Sequence, residues 1–365
     1  MLKLNYNTNG EILQDKKRNG KLRPWKPKKE SNIVLSSSYW RLGYEKYAYK
    51  VRWCASYLKF KTEVEALIKH LNSARFCQLP LCPMCQWRKS MKKATDVSMV
   101  LDECQRPEKF FDKRLNRYLE LVPIFLTLTV KTCSVYDFAD ELDKLLVAWK
   151  SLMNHRDFRR AVRGFFRAIE FTYDRDKKIT EKKFKKNPKY YAGLGLSVGD
   201  DNPNYDKFHL HIHAVMLVDQ KSYFKGDDYI DQRNYRALWQ SALCVSYDPW
   251  VDIRPFKGNS AAEKRKSVNE VAKYTMKDSE ILSLRDNKKI DELVKVLTDA
   301  LYRRTLYSYG GVMRKVAGEI LKDRPEDDLI NTGDDTIRED VATFFESYFW
   351  SFSRSNYLRV LDESC

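Results

Sequence analysis

The spacing of apolar and polar positions divides the chain into a strand-rich middle and helix-rich flanks. The stretch Ile124–Val130, IFLTLTV, has the β-branched and aromatic content of a buried strand. YDFADELDKLLVAWKSLMN follows, with apolar residues every three or four positions, and predicts an amphipathic helix. Further strands are predicted at Phe165–Tyr173, Tyr191–Val198 and His209–Val218. Between the first two of these, DRDKKITEKKFKKNPK is polar and reads as a surface hairpin or loop. Upstream, EVEALIKHL reads as a helix. Downstream, NEVAKYTMKDSEILSL and DNKKIDELVKVLTDALYRRTLYSY do the same, and the closing FFESYFWSF reads as core packing rather than base stacking. There is no internal repeat.

Composition narrows the function. With 365 residues the chain has room for two or three domains, and 43% apolar and 13% aromatic residues can fill their cores. Lys and Arg number 67 against 50 Asp and Glu, a net charge of +17 that favours nucleic acid as partner before a membrane surface. No apolar run reaches the roughly 18 residues of a membrane span, and the first residues carry no secretory h-region. A cytoplasmic setting follows, in which the 8 cysteines read as metal ligands or buried thiols rather than disulfides. The charge is uneven. Residues 1–30 hold nine basic and three acidic side chains and read as a basic arm extending to residue 45. Arg156–Lys189 holds thirteen basic and five acidic, a net of +8, with Lys182, Lys183, Lys185 and Lys186 as expected phosphate contacts. Beyond Lys322 the balance turns acidic.

Three of the five histidines fall in HLHIHAVM. On a strand the side chains alternate, so His209, His211 and His213 share one face while Leu210 and Ile212 face the core. Two imidazoles on a strand can share a divalent cation and leave positions for a carboxylate, water or substrate oxygen. Glu170 is the expected carboxylate, because an unpaired charge inside the apolar run AIEFTY would be costly. His70 and His155 have no such pattern and read as ordinary residues. In NEVAKYTMKDSE, Glu270, Tyr274 and Lys277 fall on one helix face, with Lys273 beside them. A tyrosine near a bound cation can attack a phosphodiester, with lysine neutralising the developing charge.

The pair Cys82-Pro-Met-Cys85, with Cys77 upstream, has the spacing of a zinc knuckle, and Cys54 is the expected fourth ligand. Buried free thiols are the alternative, and a redox pair is disfavoured by the basic flanks Arg88 and Lys89. Cys104, Cys133, Cys244 and Cys365 have no partner spacing.

In these motifs the chain resembles the rolling-circle plasmid replication initiator proteins, the HUH endonucleases of the Gram-positive plasmid Rep family. HLHIHAVM is similar to their His-hydrophobic-His motif, IFLTLTV to their first motif and NEVAKYTMK to their third, in the same order. The Glu270 to Tyr274 spacing and Cys77-QLPL-Cys82-PM-Cys85-QWR also match the pattern of that branch. The resemblance covers about Arg52 to Gly311. It implies an α+β fold: an antiparallel sheet, the HUH endonuclease palm, with flanking helices, a Cys-rich zinc segment upstream and a helical C-terminal region. The resulting division is a basic arm over 1–45, a zinc segment over 46–115, a catalytic domain over 116–281 and a helical region with an acidic stretch over 282–365. The likeness assigns His211 and His213 as the metal pair, His209 being the more variable position, around Mg²⁺ or Mn²⁺. It implies that Tyr274 becomes linked to the 5′ phosphate of the DNA, with Glu270 directing water at termination. The partners it implies are double-strand origin DNA, single-stranded DNA, and a host helicase and DNA polymerase. A homodimer is left open. A mobilisation relaxase or tyrosine HUH transposase shares the histidine pair but not the Glu-x-x-x-Tyr pairing. A non-enzymatic zinc DNA-binding repressor would explain the charge and the cysteines while leaving the histidine strand a coincidence.

Overall fold

A computed structural model describes residues 8–256, 267–272, 277–333 and 341–361. Its contacts gather into two compact units, one of Met1–Asp96, Arg285–Lys295 and Leu321–Cys365, the other of Val97–Leu284 and Val296–Ile320. Each contains an antiparallel sheet, so the fold is mixed α and β. Among the described residues no helix is long and apolar enough to cross a membrane.

In the second unit the strands stand in the order Val251–Pro255, Leu121–Thr129, Lys207–Asp219, Val162–Asp174, Tyr307–Gly310. The central pair are the histidine strand, Lys207–Asp219, and the glutamate strand, Val162–Asp174. Their register sets Ile212 beside Ile169 and Leu210 beside Phe171, all four essentially inaccessible to solvent. Against this apolar face the predicted helix forms as Phe138–Asn154 and buries Phe138, Leu142 and Leu145. Each such side chain contributes about 1.5–3 kcal/mol on leaving water. The Phe138 ring packs at 4.9 Å from Phe171 and 4.8 Å from Phe208. The edge strand Tyr307–Gly310 approaches so closely that a Cβ on Gly310 would meet the Phe165 ring.

One predicted strand is absent. Residues Tyr191–Val198 do not extend the sheet: the glutamate and histidine strands pair with each other directly, and residues 175–206 are an insertion between them. Short helices Glu181–Lys186 and Pro188–Gly193 occupy it. Pro188 favours the first helical turn, and Gly195 and Gly199, at φ +69° and +95°, interrupt any extended run.

The first unit's sheet runs Thr8–Ile12, Asn356–Val360, Thr343–Ser351, Tyr57–Glu63, Lys69–Ala74. Here EVEALIKHL is not a helix but the turn and second strand of a hairpin. Leu67 takes φ +51°, which ends any helix, and Tyr57–Glu63 is paired on both sides. Ladder pairing outweighs helix propensity worth only tenths of a kcal/mol per residue. Residues 8–45 are likewise not a free arm. Thr8–Ile12 is an edge strand, and the helix Trp25–Arg41 buries Trp25, Leu35 and Tyr39. Its inner face also carries Lys29, Asn32 and Ser36, polar residues that mask the amphipathic pattern and are satisfied by hydrogen bonds to Cys54, Val51 and Ala48 carbonyls. The region 282–365 is only partly helical. FFESYFWSF becomes the strand Thr343–Ser351, with Tyr348 and Trp350 in the core. Both units are thus discontinuous in sequence.

Candidate metal centre

The register of the second unit's sheet builds a donor cluster. Glu170 lies opposite His211, and His213 lies between Thr127 and Ala168. Paired residues share a face, so the imidazoles and the carboxylate meet. His211 Nε2 is 3.1 Å and His213 Nε2 3.0 Å from the same oxygen, Oε2 of Glu170. The three donor atoms lie within 4.8 Å of one another. Burial alone would raise the Glu170 carboxyl, but hydrogen bonds from the two imidazoles hold it well below the usual carboxylate range. Two ring nitrogens and one carboxylate form an open donor set that fits a divalent cation and leaves room for further oxygens. His209 stands outside it. Its ring is 5.5 Å from that of His211, and burial, with the His211 charge and others, lowers its pKa to about 4. It is neutral at pH 7.

Sequence reasoning missed two groups here. Thr127 Oγ1 is 3.2 Å from His213 Nδ1, the ring nitrogen turned away from Glu170. The alternation in IFLTLTV could have placed Thr127 on the histidine face, but not against a particular ring. Arg254 comes from an edge strand with no motif. Its Nη2 donates to Glu270 Oε1 at 2.6 Å, and its guanidinium lies 4.6 Å over the Phe125 ring, which is 5.7 Å from the His213 ring. Glu270 is therefore partnered by this arginine. The contacts tie helical residues 267–271 to the histidine side of the sheet. Tyr274 and Lys273 lie outside the described residues. Lys277 is exposed, 3.7 Å from Glu280, whose Oε2 accepts from the Tyr173 amide at 2.9 Å. Of the insertion lysines, Lys182, Lys185 and Lys186 are exposed, whereas Lys183 pairs with Asp174 and, at 3.2 Å, with Asp176. Lys183, expected as a phosphate contact, is therefore already paired with two carboxylates.

In the first unit the four predicted cysteines converge, their sulfurs within 4.8 Å of one another. Cys54 is 3.5 Å from Cys85 and 3.6 Å from Cys82, and Cys77 is 3.7 Å from Cys85. A tetrahedron with Zn–S near 2.3 Å has edges of about 3.8 Å, so the donor set fits zinc. Burial pushes the Cys54 and Cys85 thiols up. Cys82 is held well below the ordinary thiol value against its own burial, by hydrogen bonds from the other three. Beside them Lys29 Nζ donates to the Arg52 and Cys54 carbonyls and to Ser56 Oγ, each at 2.7 Å, and burial lowers its pKa to about 8. His155 caps a helix and His70 faces Glu63, as ordinary residues do.

Fold and site together define a mixed α/β protein with, among the described residues, two separate donor clusters, a closed one of four sulfurs and an open one of two imidazoles and a carboxylate. Residues 68–358 match the family described as Replication protein, and the chain belongs to that family. It is 30% identical to a Protein rep of Lactiplantibacillus plantarum over 95% of this chain and 98% of that one. Identity is 29% with a Protein rep of Bacillus amyloliquefaciens, covering 95% and 97%. It is 28% with one of Streptococcus pneumoniae, covering 95% of each. No solved structure matches the chain.

Proposed function

We propose that this replication protein starts rolling-circle replication of a plasmid by nicking one strand of its origin and transferring that strand. The observation that carries the reading is the convergence of His211 and His213 on one oxygen of Glu170. On this reading the second unit's sheet is the HUH palm, and Mg²⁺ or Mn²⁺ is held by those three side chains. When bound, the cation polarises the scissile phosphoryl group. The Tyr274 phenolate oxygen attacks phosphorus and the 3′ oxygen leaves, giving a 5′-phosphotyrosyl bond and a free 3′-OH that primes synthesis. Lys273 and Lys277 neutralise charge on the strand. At termination Glu270, held by Arg254, takes a proton from the water that releases the tyrosine. Zinc on Cys54, Cys77, Cys82 and Cys85 has a structural role.

Supercoiled plasmid bearing the cognate origin provides the test. Wild-type protein is expected to nick it and remain attached to the 5′ end. Tyr274→Phe and the double variant His211→Ala/His213→Ala are expected to bind origin duplex and leave it intact. Nicking by the double variant in the presence of EDTA would refute the mechanism.

A further inference from the structure

A surface of the first unit carries chemistry that neither donor cluster uses. The helix Glu45–Trp53 buries Ala48 and Val51 and carries Tyr49 and Trp53 one turn apart, their rings 6.2 Å from each other. Tyr49 is 56% exposed, and Trp40, at the end of the helix Trp25–Arg41, is 48% exposed. These three rings line a groove of about 890 Å³. Lys46, Lys50 and Arg75 also line it, all exposed, against one carboxylate, Glu45. Cys54 and Cys77 lie in its wall, so the fold that gathers the thiols also shapes the groove.

Trp40 and Tyr49, left in water beside an excess of cations, serve no core, and Trp53 is half-buried beside them. An apolar protein partner would call for a patch without the lysines, and intact duplex hides the base faces that rings could stack on. Unpaired strand offers both complements at once: π faces for the rings and phosphates for the cations.

We propose that this groove binds single-stranded DNA, stacking unpaired bases on Trp40, Tyr49 and Trp53 while Lys46, Lys50 and Arg75 meet the phosphates. The inference rests on the reading of the chain as an origin-nicking protein, since nicking and displacement generate the unpaired strand.

The test uses the full chain carrying Tyr274→Phe, so that no cleavage occurs, and a fluorescein-labelled oligothymidylate of about 12 nucleotides, within the usual site size. Tyr49→Ala and Trp40→Ala are each expected to weaken binding about tenfold, as loss of one stacked base does. Tyr49→Phe, which keeps the ring, is expected to restore it. Trp53 also packs its edge on Phe352 at 5.5 Å, so Trp53→Phe replaces the alanine variant there. Binding of a duplex of equal length should change less than twofold. Loss below twofold in both alanine variants would overturn the proposal, and so would equal losses for strand and duplex, which would mark a phosphate patch without stacking. Plasmid nicking by the chain with Tyr274 intact reads the histidine centre separately. Absent nicking with intact oligonucleotide binding sinks the cleavage reading and leaves the groove standing.

Discussion

Thr127 does for His213 what nothing among the hydrogen bonds of the described residues does for His211: its hydroxyl meets the ring nitrogen that faces away from Glu170, whereas His211 Nδ1 is buried without a hydrogen-bond partner. A ring held at both nitrogens presents its donor lone pair in a fixed direction. Thr127→Val keeps the shape and removes the oxygen. It is expected to leave the fold intact and weaken Mn²⁺ binding about tenfold by calorimetric titration. Unchanged affinity would mean that packing on Phe125 alone orients the ring. A second residue, Asp219, governs stability where the histidine strand ends. It is inaccessible to solvent, accepts from both Arg117 terminal nitrogens at 3.0 and 2.6 Å, and caps the next helix through the Ser222 amide at 2.9 Å. Burial would raise its carboxyl, but Arg117 and the Ser222 and Glu120 amides hold it well below the usual range. Its folded pKa is thus depressed. The stability it contributes is complete above its unfolded value of about 4 and is lost as pH falls toward the folded value. Asp219→Ala is expected to cost about 3 kcal/mol at pH 7. Urea unfolding should show that gap narrowing below about pH 4, and a gap constant down to pH 3 would contradict the pairing.

At the scale of elements, legibility followed periodicity. The histidine strand and the cysteine cluster were readable because their chemistry repeats at two residues or sits at knuckle spacing, and Glu170 because a lone charge in an apolar run needs a partner. The EVEALIKHL hairpin and the Trp25–Arg41 helix were not, because the ladder with Tyr57–Glu63, itself paired to the distant Thr343–Ser351, decides the first and buried polar groups disguise the second. Thr127 and Arg254 act through tertiary register, which no local pattern records. The cysteine cluster joins two such elements: Cys54 follows the helix Glu45–Trp53, and Cys85 lies in the first turn of the helix Pro83–Cys104. Zinc there would fasten both to the hairpin that Cys77 follows. Elemental analysis is expected to give one zinc per chain. Strong chelation should raise amide exchange in Tyr57–Glu63 and Lys69–Ala74 well before Lys207–Asp219. Full zinc content after Cys54→Ser would remove that ligand from the site, and simultaneous loss of protection in both sheets would deny zinc a local role.

Over the whole molecule the net charge of +17 overstates what is free to meet DNA. Within Arg156–Lys189, acids from elsewhere in the second unit neutralise part of the local +8. Arg160 pairs with Asp228 at 2.8 Å, Arg163 with Asp112 at 3.2 Å, and Lys178 with Asp201 at 2.8 Å. Lys183 is spent on Asp174 and Asp176. What projects from the insertion is the short helix Glu181–Lys186, whose Lys182 and Lys186 are exposed. On the proposed reading these are the insertion lysines left to meet the strand's phosphates. Lys182→Gln/Lys186→Gln is expected to weaken binding across unrelated sequences and to flatten the dependence of log K on log salt by about one unit per lost contact. Lys183→Gln should instead leave the slope unchanged and destabilise the insertion, because its charge already serves two carboxylates. Measuring the slope for all three proteins between low and physiological salt separates these outcomes. An equal drop in slope for Lys183→Gln and for the double variant would show that DNA competes successfully with Asp174 and Asp176, and that the ion pairs do not set which lysines the strand meets.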